Sequence, residues 1–480
     1  MKVALVHYHL QPGGVTRVIE NTIHAWQKSD SGPEDCVVLS GRPYPGKVLP
    51  HVRVVEGLDY ADAQEAPDPA VLADRLKEAA RTALGGLPDL WHIHNHSLGK
   101  NPALSGAVAR LAQSGARLLL QPHDYAEDGR PENFRNLANT QPSIYPTGGQ
   151  IHYAALNRRD QLFLQTTLDG HSSPVHLLAN AIPPAPTGAQ SAPTRTYPEI
   201  PENLFLYPVR AVRRKNLGEL ALLSAAHPEI HFASSLGPTN PAYAPIYESW
   251  IEFARGHELG LTYGLGEQTE ATFPEMVSLA QAIVNVSVAE GFGLGFLEPW
   301  TFGKSLCGRN LPEITADFSE LGVNLDNLYN ELRVDPGLVD RKELTTAISG
   351  AMSTAYASYQ RGVPSDAVNR ALHSICTKDG IEFGRLNEPL QKRVITQIKD
   401  SADELKAVRE QAGLEILDRS RIQSNHSAVT QNFCSARYGQ KLSDIYKEVV
   451  STEAEKVCFA DASKMLDQFL CPERFNLLRS

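Results

Sequence analysis

The chain has 480 residues, more than one hydrophobic core normally organises, so two or more domains are expected. Apolar residues at 42% and charged residues at 21% describe an ordinary globular protein, and a formal charge of -10 argues against a nucleic-acid partner, which needs a basic face. No run of about 18 apolar residues is present, so no transmembrane segment is expected. "MKVALVHYHL" is broken by two histidines and makes a poor signal peptide. The six cysteines lack CxxC spacing and read as reduced thiols of a cytoplasmic protein.

In chain order, "KVALVHY" reads as a buried strand, "PGG" as a turn, and a helix follows from Val15 with Val18, Ile19, Thr22, Ile23 and Trp26 on one stripe. "DCVVLSG" and "VRVVEGL" are further strands, and "PAVLADRLKEAARTALGG" is a helix ended by its glycines. "PDLWHIHNH", "ARLLLQPHD", "QIHYAAL" and "VHLLANAI" continue the series. From Pro183 to Pro201 the chain holds six prolines and few large apolar residues, the composition of a linker. A second series follows: "NLFLYPV", a helix from Leu217, "EIHFASSL", a helix near Tyr243 to Ala254, "LGLTYGL", a helix through Met276, "AIVNVSV" and "KSLCG". Past about Val334 the strand signal fades into helices such as "DSADELKAVREQAGLEIL" and "SARYGQKLSDIYKEVV". Strands alternating with helices predict parallel, doubly wound α/β sheets. The expected architecture is two Rossmann-like domains, 1–184 and 202–424, with a helical extension whose residues 425–480 pack back on the first domain.

Ligands of open parallel sheets bind beyond the carboxyl ends of the strands. Five stretches stand there. In "HLQPGGVTR", Gly13 and Gly14 open a helix N-terminus, where free amides favour anions, although a plain tight turn explains them as well. In "WHIHNHSLGKN", His92, His94 and His96 alternate and would share one strand face. That is the chain's best metal candidate and the basis of an alternative reading as a metal-dependent hydrolase, but no downstream ligand set completes it. His123 follows a strand and is trailed by Asp124, Glu127, Asp128 and Arg130. "YPVRAVRRKN" places Arg210, Arg213, Arg214 and Lys215 after a strand of an acidic protein, which suits a diphosphate. In "VAEGFGLGFLE", Glu290 and Glu298 flank three glycines that would clear backbone amides for a phosphate, while the two carboxylates suit vicinal hydroxyls.

These residues resemble the retaining GT-B glycosyltransferases of the glycosyltransferase 4 type. The E-x7-E signature matches as "EGFGLGFLE", the basic pair as Arg210 and Lys215, and "HLLANAIPP" and "RNLPEI" stand where the family has its domain-closing turn and a following loop. The likeness covers roughly Met1 to Asp317. It implies two Rossmann-like domains facing across a cleft, a nucleotide diphosphate sugar as donor substrate, and no metal or other cofactor. The implied donor set is Gly13, Gly14, Arg210, Lys215, Glu290, Gly291, Phe292, Gly293, Leu294 and Glu298, with His123, Arg210, Lys215 and Glu290 taking part in catalysis. Glu290 would meet the sugar hydroxyls, Glu298 the ribose, and His123 the anomeric carbon. An acceptor pocket of Arg17, His94, Asn95, Lys100, Asp124, Tyr125 and Arg130 would suit a small polar or anionic molecule. A nucleotide-sugar epimerase or a phosphorylase shares the fold, although no lysine can be nominated for pyridoxal phosphate. Asn216 replaces the family's glycine after the lysine, and "SLCG" replaces its "P-V" run, which leaves the diphosphate loop's geometry open. Residues Ser365 to Ser480 run beyond the family's usual tail, so a dimer contact and a homo-oligomer stay open as well.

Overall fold

The computed structural model describes residues 1–27, 32–140, 143–186 and 195–479. The central part of the expected linker, residues 187–194, lies outside them. The chain divides into two compact units: Met1–Pro183 with Phe433–Leu470, and Pro184–Asn432 with Cys471–Ser480.

The first unit is built on strands β1 (Lys2–His7), β2 (Asp35–Ser40), β3 (Val52–Val54), β4 (Leu90–His94), β5 (Leu118–Gln121), the short β6 (Pro146–Thr147), β7 (Ile151–Ala155) and β8 (Val175–Leu177). All but β6 form one parallel sheet in the order β3-β2-β1-β4-β5-β7-β8. Its helices are α1 (Gly14–Gln27), α2 (Pro69–Leu84), α3 (Pro102–Gln113), α4 (Pro131–Asn136) and α5 (Arg158–Thr167). Both faces of the sheet are covered, which is why its strands read as continuous apolar runs. Ala4, Val6, Trp91, Ile93, Leu118 and Leu120 pack with α2, α3 and α5 in one core. Val3, Leu5, Leu90 and Leu119 pack on the opposite face with α1.

The second unit contains β9 (Leu204–Arg210), β10 (His231–Leu236), β11 (Leu261–Thr262), β12 (Ala282–Asn285) and β13 (Ser305–Gly308), again all parallel, in the order β11-β10-β9-β12-β13. Helices α6 (Leu217–Ala226), α7 (Ala244–Gly256), α8 (Phe273–Leu279), α9 (Glu298–Thr301) and α10 (Pro312–Glu320) connect and flank them. Beyond Val334 the chain is not purely helical. The two- and three-residue strands β14 (Arg333–Val334), β15 (Cys376–Thr377) and β16 (Gly380–Glu382) form an antiparallel sheet among α11 (Arg341–Ser358), α12 (Ala367–Ile375), α13 (Glu388–Ile398), α14 (Ala402–Ala412) and α15 (Arg419–Asn432). The expected helix through "GLEIL" stops at Ala412, because Gly413 takes the left-handed conformation at φ 50 and caps it.

The crossover back to the first unit begins at Phe433, whose carbonyl accepts from the Ile182 amide at 2.8 Å. Helix α16 (Ser435–Ser451) then lays Tyr438, Leu442, Ile445, Tyr446 and Val449 on the α1 face of the sheet. Strand β17 (Cys458–Phe459) pairs with β6, and α17 (Ala462–Phe469) covers the other face. The last residues, from Cys471, belong to the second unit instead, so the returning segment is shorter than 425–480 at both ends.

Candidate functional site

In the second unit the chemistry gathers where β9 and β12 end. The ammonium of Lys215 is ion-paired with the Glu290 carboxylate, and both side chains are about 15% exposed. Two bonds set this geometry. The Val288 amide donates to the Arg214 carbonyl at 3.0 Å, and the Tyr207 hydroxyl meets Ser287 Oγ at 2.5 Å, so the turn after β9 is tied directly to the turn after β12. Burial and the Glu290 charge hold the Tyr207 phenol well above its ordinary value, so it stays a neutral partner. Asn216 stands in the left-handed region at φ 51, the conformation in which a glycine would be expected, and asparagine is among the few other residues that adopt it readily. Its side-chain amide donates to Glu219 and accepts from Gln391. The departure at this position therefore preserves the turn.

The three glycines between the acids divide by cause. Gly293 has φ 91 and is crowded by Ile314 and Phe296, so the backbone itself requires it. At Gly291 and Gly295 a side chain would meet nothing within 4 Å, and both are exposed. Nothing in the fold demands glycine there. Leu294 is exposed, and Glu298 begins α9 half-buried. Phe292 turns inward onto Phe318, ring centroids 5.6 Å apart, so only its backbone remains for a ligand.

The four cations separate in the same way. Arg210 is exposed at the end of β9, with its guanidinium donating to the Gly237 carbonyl at 3.3 Å. Arg213 points elsewhere: it grips both oxygens of Glu388 at 2.8 Å and the Leu477 carbonyl at 3.0 Å. Beneath the site Arg309, 4% exposed, pairs with Glu219 and Glu382 at 2.6–2.8 Å, and the Tyr329 hydroxyl donates to Glu219. That network anchors the start of α6, and nothing in the local sequence of Arg309 announced it. A cavity of about 530 Å³ beside it is lined by Val288, Arg309, Asn310, Arg385 and Asn476 among others.

In the first unit, β1, β4 and β5 bring their carboxyl ends together. Gly13 precedes α1 and Gly14 begins it, both without left-handed φ or crowding, Gly14 having nothing within 4 Å of an added side chain, and Arg17 is exposed one turn on. His94 Nδ1 meets His123 Nε2 at 2.9 Å with the rings stacked 5.2 Å apart, and His7 stands against His94 at 6.3 Å. Burial, reinforced by the neighbouring rings, pushes His7 and His123 down to about 3 and holds His94 well below its ordinary range. These imidazoles are neutral at pH 7. Behind them the Tyr446 hydroxyl of α16 meets His92 Nδ1 at 2.8 Å, and His92 Nε2 meets Gln121 at 2.9 Å, so the returning helix orients the row. Lys100 lies over the Tyr60 ring at 5.5 Å, and Tyr60 also stacks edge-on to His9 at 4.5 Å. His7, His9 and Tyr60 were not among the expected site residues; their signal was only that they lie at or just past the ends of strands.

Several expectations are corrected. The three alternating histidines do not share a face. β4 ends at His94, Asn95 takes φ 56, and the chain turns so that His96 packs against Tyr145 and Tyr153 in the other core. His96 instead bonds the Ile144 carbonyl, and the row gathers no metal-ligand set among the described residues. Asn95 is buried, and its side-chain oxygen accepts the His123 and Asp124 amides at 2.6 and 3.1 Å, which shapes the loop that follows β5. Tyr125 is 2% exposed, because α17 returns and sets Phe469 against it. Arg130 is bonded to Asp124 Oδ1 at 2.5 Å and to the carbonyls of Tyr125 and Asp128, which holds this loop closed on itself.

No family model matches the chain. It is similar to the mannosylglucosyl-3-phosphoglycerate synthase of Petrotoga mobilis, 24% identical over 461 residues, which spans 89% of this chain and 86% of that protein. Among solved structures, HepE from Anabaena in complex with UDP and glucose superposes with a TM-score of 0.51 at 12% identity, covering 93% of this chain and 99% of that one. Sucrose-phosphate synthase from Thermosynechococcus elongatus gives 0.51 at 12%, covering 93% and 98%. The E. coli structure described as trehalose-6-phosphate bound with UDP-2-fluoro glucose gives 0.51 at 11%, covering 95% and 100%. The fold is that of the GT-B glycosyltransferases, and the class it defines together with this relative is a transferase enzyme. No helix among the described residues is long and apolar enough to cross a membrane.

Proposed function

We propose that the chain is a retaining glycosyltransferase of the glycosyltransferase 4 type. It moves a hexose from a nucleotide diphosphate sugar to a small anionic acceptor, in the cytoplasm and without a metal. The observation that carries this reading is the Lys215–Glu290 pair set between two turns, the second of which carries Gly291 and Gly295 in open space. A diphosphate leaving group needs a cation, a sugar needs a carboxylate for its hydroxyls, and the exposed backbone at Gly291 and Gly295 lets both approach closely. His123, held neutral, offers hydrogen bonds rather than a proton, so charge stabilisation falls to Lys215 and Arg210. HepE is described with UDP-glucose, which makes a uridine or related nucleotide sugar the donor to try first. The relative is named for a phosphoglycerate glycoside, an anion, and exposed Arg17 in the first turn of α1 and Lys100 in the loop between β4 and α3 suit such an acceptor.

Two experiments test the reading. Transfer from nucleotide sugars to phosphorylated acceptors is expected to proceed undiminished in chelator; loss of activity that zinc restores would replace the cationic mechanism with a metal-dependent one. NMR of the fresh product is expected to show the donor's anomeric configuration. An inverted product would remove the retaining assignment while leaving the fold untouched.

A further inference from the structure

We propose that His152, His176 and Glu448 form a divalent transition-metal site that fastens the returning helix α16 to the edge of the first unit's sheet. His152 lies on β7 and His176 on the edge strand β8. The register pairs Ala154 with His176, so the two histidines are diagonal neighbours on the face that α16 covers. Their rings stack 5.1 Å apart, with His152 Nδ1 2.8 Å from His176 Nε2. Glu448 approaches from α16, with Oε1 3.9 Å from His176 Nε2, and one donor atom of each residue lies within 4.8 Å of the others. Around a tetrahedral zinc, with ligand bonds of about 2.0–2.2 Å, neighbouring donors stand roughly 3.3 Å apart. The 2.8 and 3.9 Å separations fall on either side of that value, and the third is within 4.8 Å, so side-chain adjustment on the scale of an ångström would bring all three onto one ion.

The surroundings prepare the ligands. His152 is buried, and its Nε2 meets the Gly149 carbonyl at 3.0 Å, which fixes the tautomer that leaves a lone pair on Nδ1 toward His176. A backbone carbonyl on the far nitrogen is the usual orienting partner of a metal-bound histidine. Burial and the neighbouring His176 push His152 down to about 4, so it is neutral at pH 7, as a ligand must be. His176 is partly exposed, so on binding its single proton passes through solvent from Nε2 to Nδ1, which frees the Nε2 lone pair without a change of charge. Glu448 supplies the negative charge; Lys441 is the nearby cation that opposes it. A fourth position is left to water. The site joins β7 and β8 to α16 within the first unit, so its role is to hold α16 in place.

The test uses the full chain, stripped with chelator and titrated with Co²⁺. Expected are one Co²⁺ per chain with the visible absorption of low-coordinate cobalt, displacement by Zn²⁺, and a rise in Tm with Zn²⁺. His176→Ala and Glu448→Gln, both at solvent-reached positions, are each expected to weaken binding roughly 100-fold or more and to abolish the Zn²⁺ rise while leaving the metal-free Tm nearly unchanged. Absence of stoichiometric Co²⁺ binding overturns the proposal, and so does binding that survives both substitutions.

Discussion

Lys215→Ala is expected to lower kcat for glycosyl transfer by about 10²–10³, or about 3–4 kcal/mol, with a much smaller change in donor binding. Negative charge accumulates on the diphosphate oxygen as the glycosidic bond breaks, so a fixed cation there interacts more strongly with the transition state than with the ground state. The ammonium is already aimed by Glu290 and by the Val288–Arg214 backbone bond, so little reorganisation is needed when donor arrives. Because the alanine variant also removes the Glu290 ion pair, the double variant with Glu290→Gln separates the two effects. A loss in the double variant close to that of Lys215→Ala alone would place the two residues in one unit. Arg210→Ala is expected to behave like Lys215→Ala. Arg213→Ala is the contrasting case: its three bonds go to Glu388 and Leu477, so it is expected to reduce stability by about 1–3 kcal/mol and leave kcat in place. If all three variants weaken donor binding equally and keep kcat, the cations only steer. If Lys215→Ala changes neither quantity, the register of Lys215 against the diphosphate is wrong.

Much of this was legible before any coordinates. Strands buried on both faces leave continuous apolar runs, and the polar or glycine residues directly after them mark the ligand side; β1, β4, β5, β9 and β12 all declared themselves this way. Glu290 and Lys215 were visible because charge beside a strand end in an acidic chain is conspicuous. What stayed hidden depends on single dihedrals or on contacts distant in sequence. One left-handed residue, Asn95, sends His96 to the opposite core from His92 and His94, and alternation alone cannot report that. Tyr125 looks like a loop residue until α17 returns from more than 300 positions away to bury it. The Arg309–Glu219–Glu382 network and the Arg213–Glu388 pair join residues whose neighbours in sequence carry no hint of a partner. The strands β14, β15 and β16 are too short to show a period at all.

The first unit is expected to fail in mild acid, because its neutral histidines are the groups that unfolding would charge. Burial lowers His7 and His123 to about 3 and His92, His96 and His152 to about 4, each from an ordinary 6.5. A depressed histidine contributes stability that is complete above about pH 6.5 and drains away as pH falls toward its folded value, since the unfolded chain binds the extra proton. Buried Glu127 runs the other way: burial raises it from 4.5 to about 7, so it gains stability as pH falls through that interval. His94, lowered, and Asp160, raised, add one further group to each side. Between pH 7 and 5.5 each of the five histidines gives up about 1 kcal/mol and Glu127 returns about 2, a net loss of roughly 3 kcal/mol. For a unit of this size that corresponds to a fall in Tm of about 6–12 °C. In the second unit the lowered histidines are His227 and His231, both less enclosed, so hydrogen exchange at pH 5.5 should show protection lost first in β1, β4 and β5 and only later in β9 and β12. A Tm that stays level from pH 7 to 5.5, or earlier loss in β9 and β12, would mean that the histidine row takes up protons while folded. In the proposed reaction His123 would then be an imidazolium, and the assignment of charge stabilisation to Lys215 and Arg210 alone would have to be redrawn.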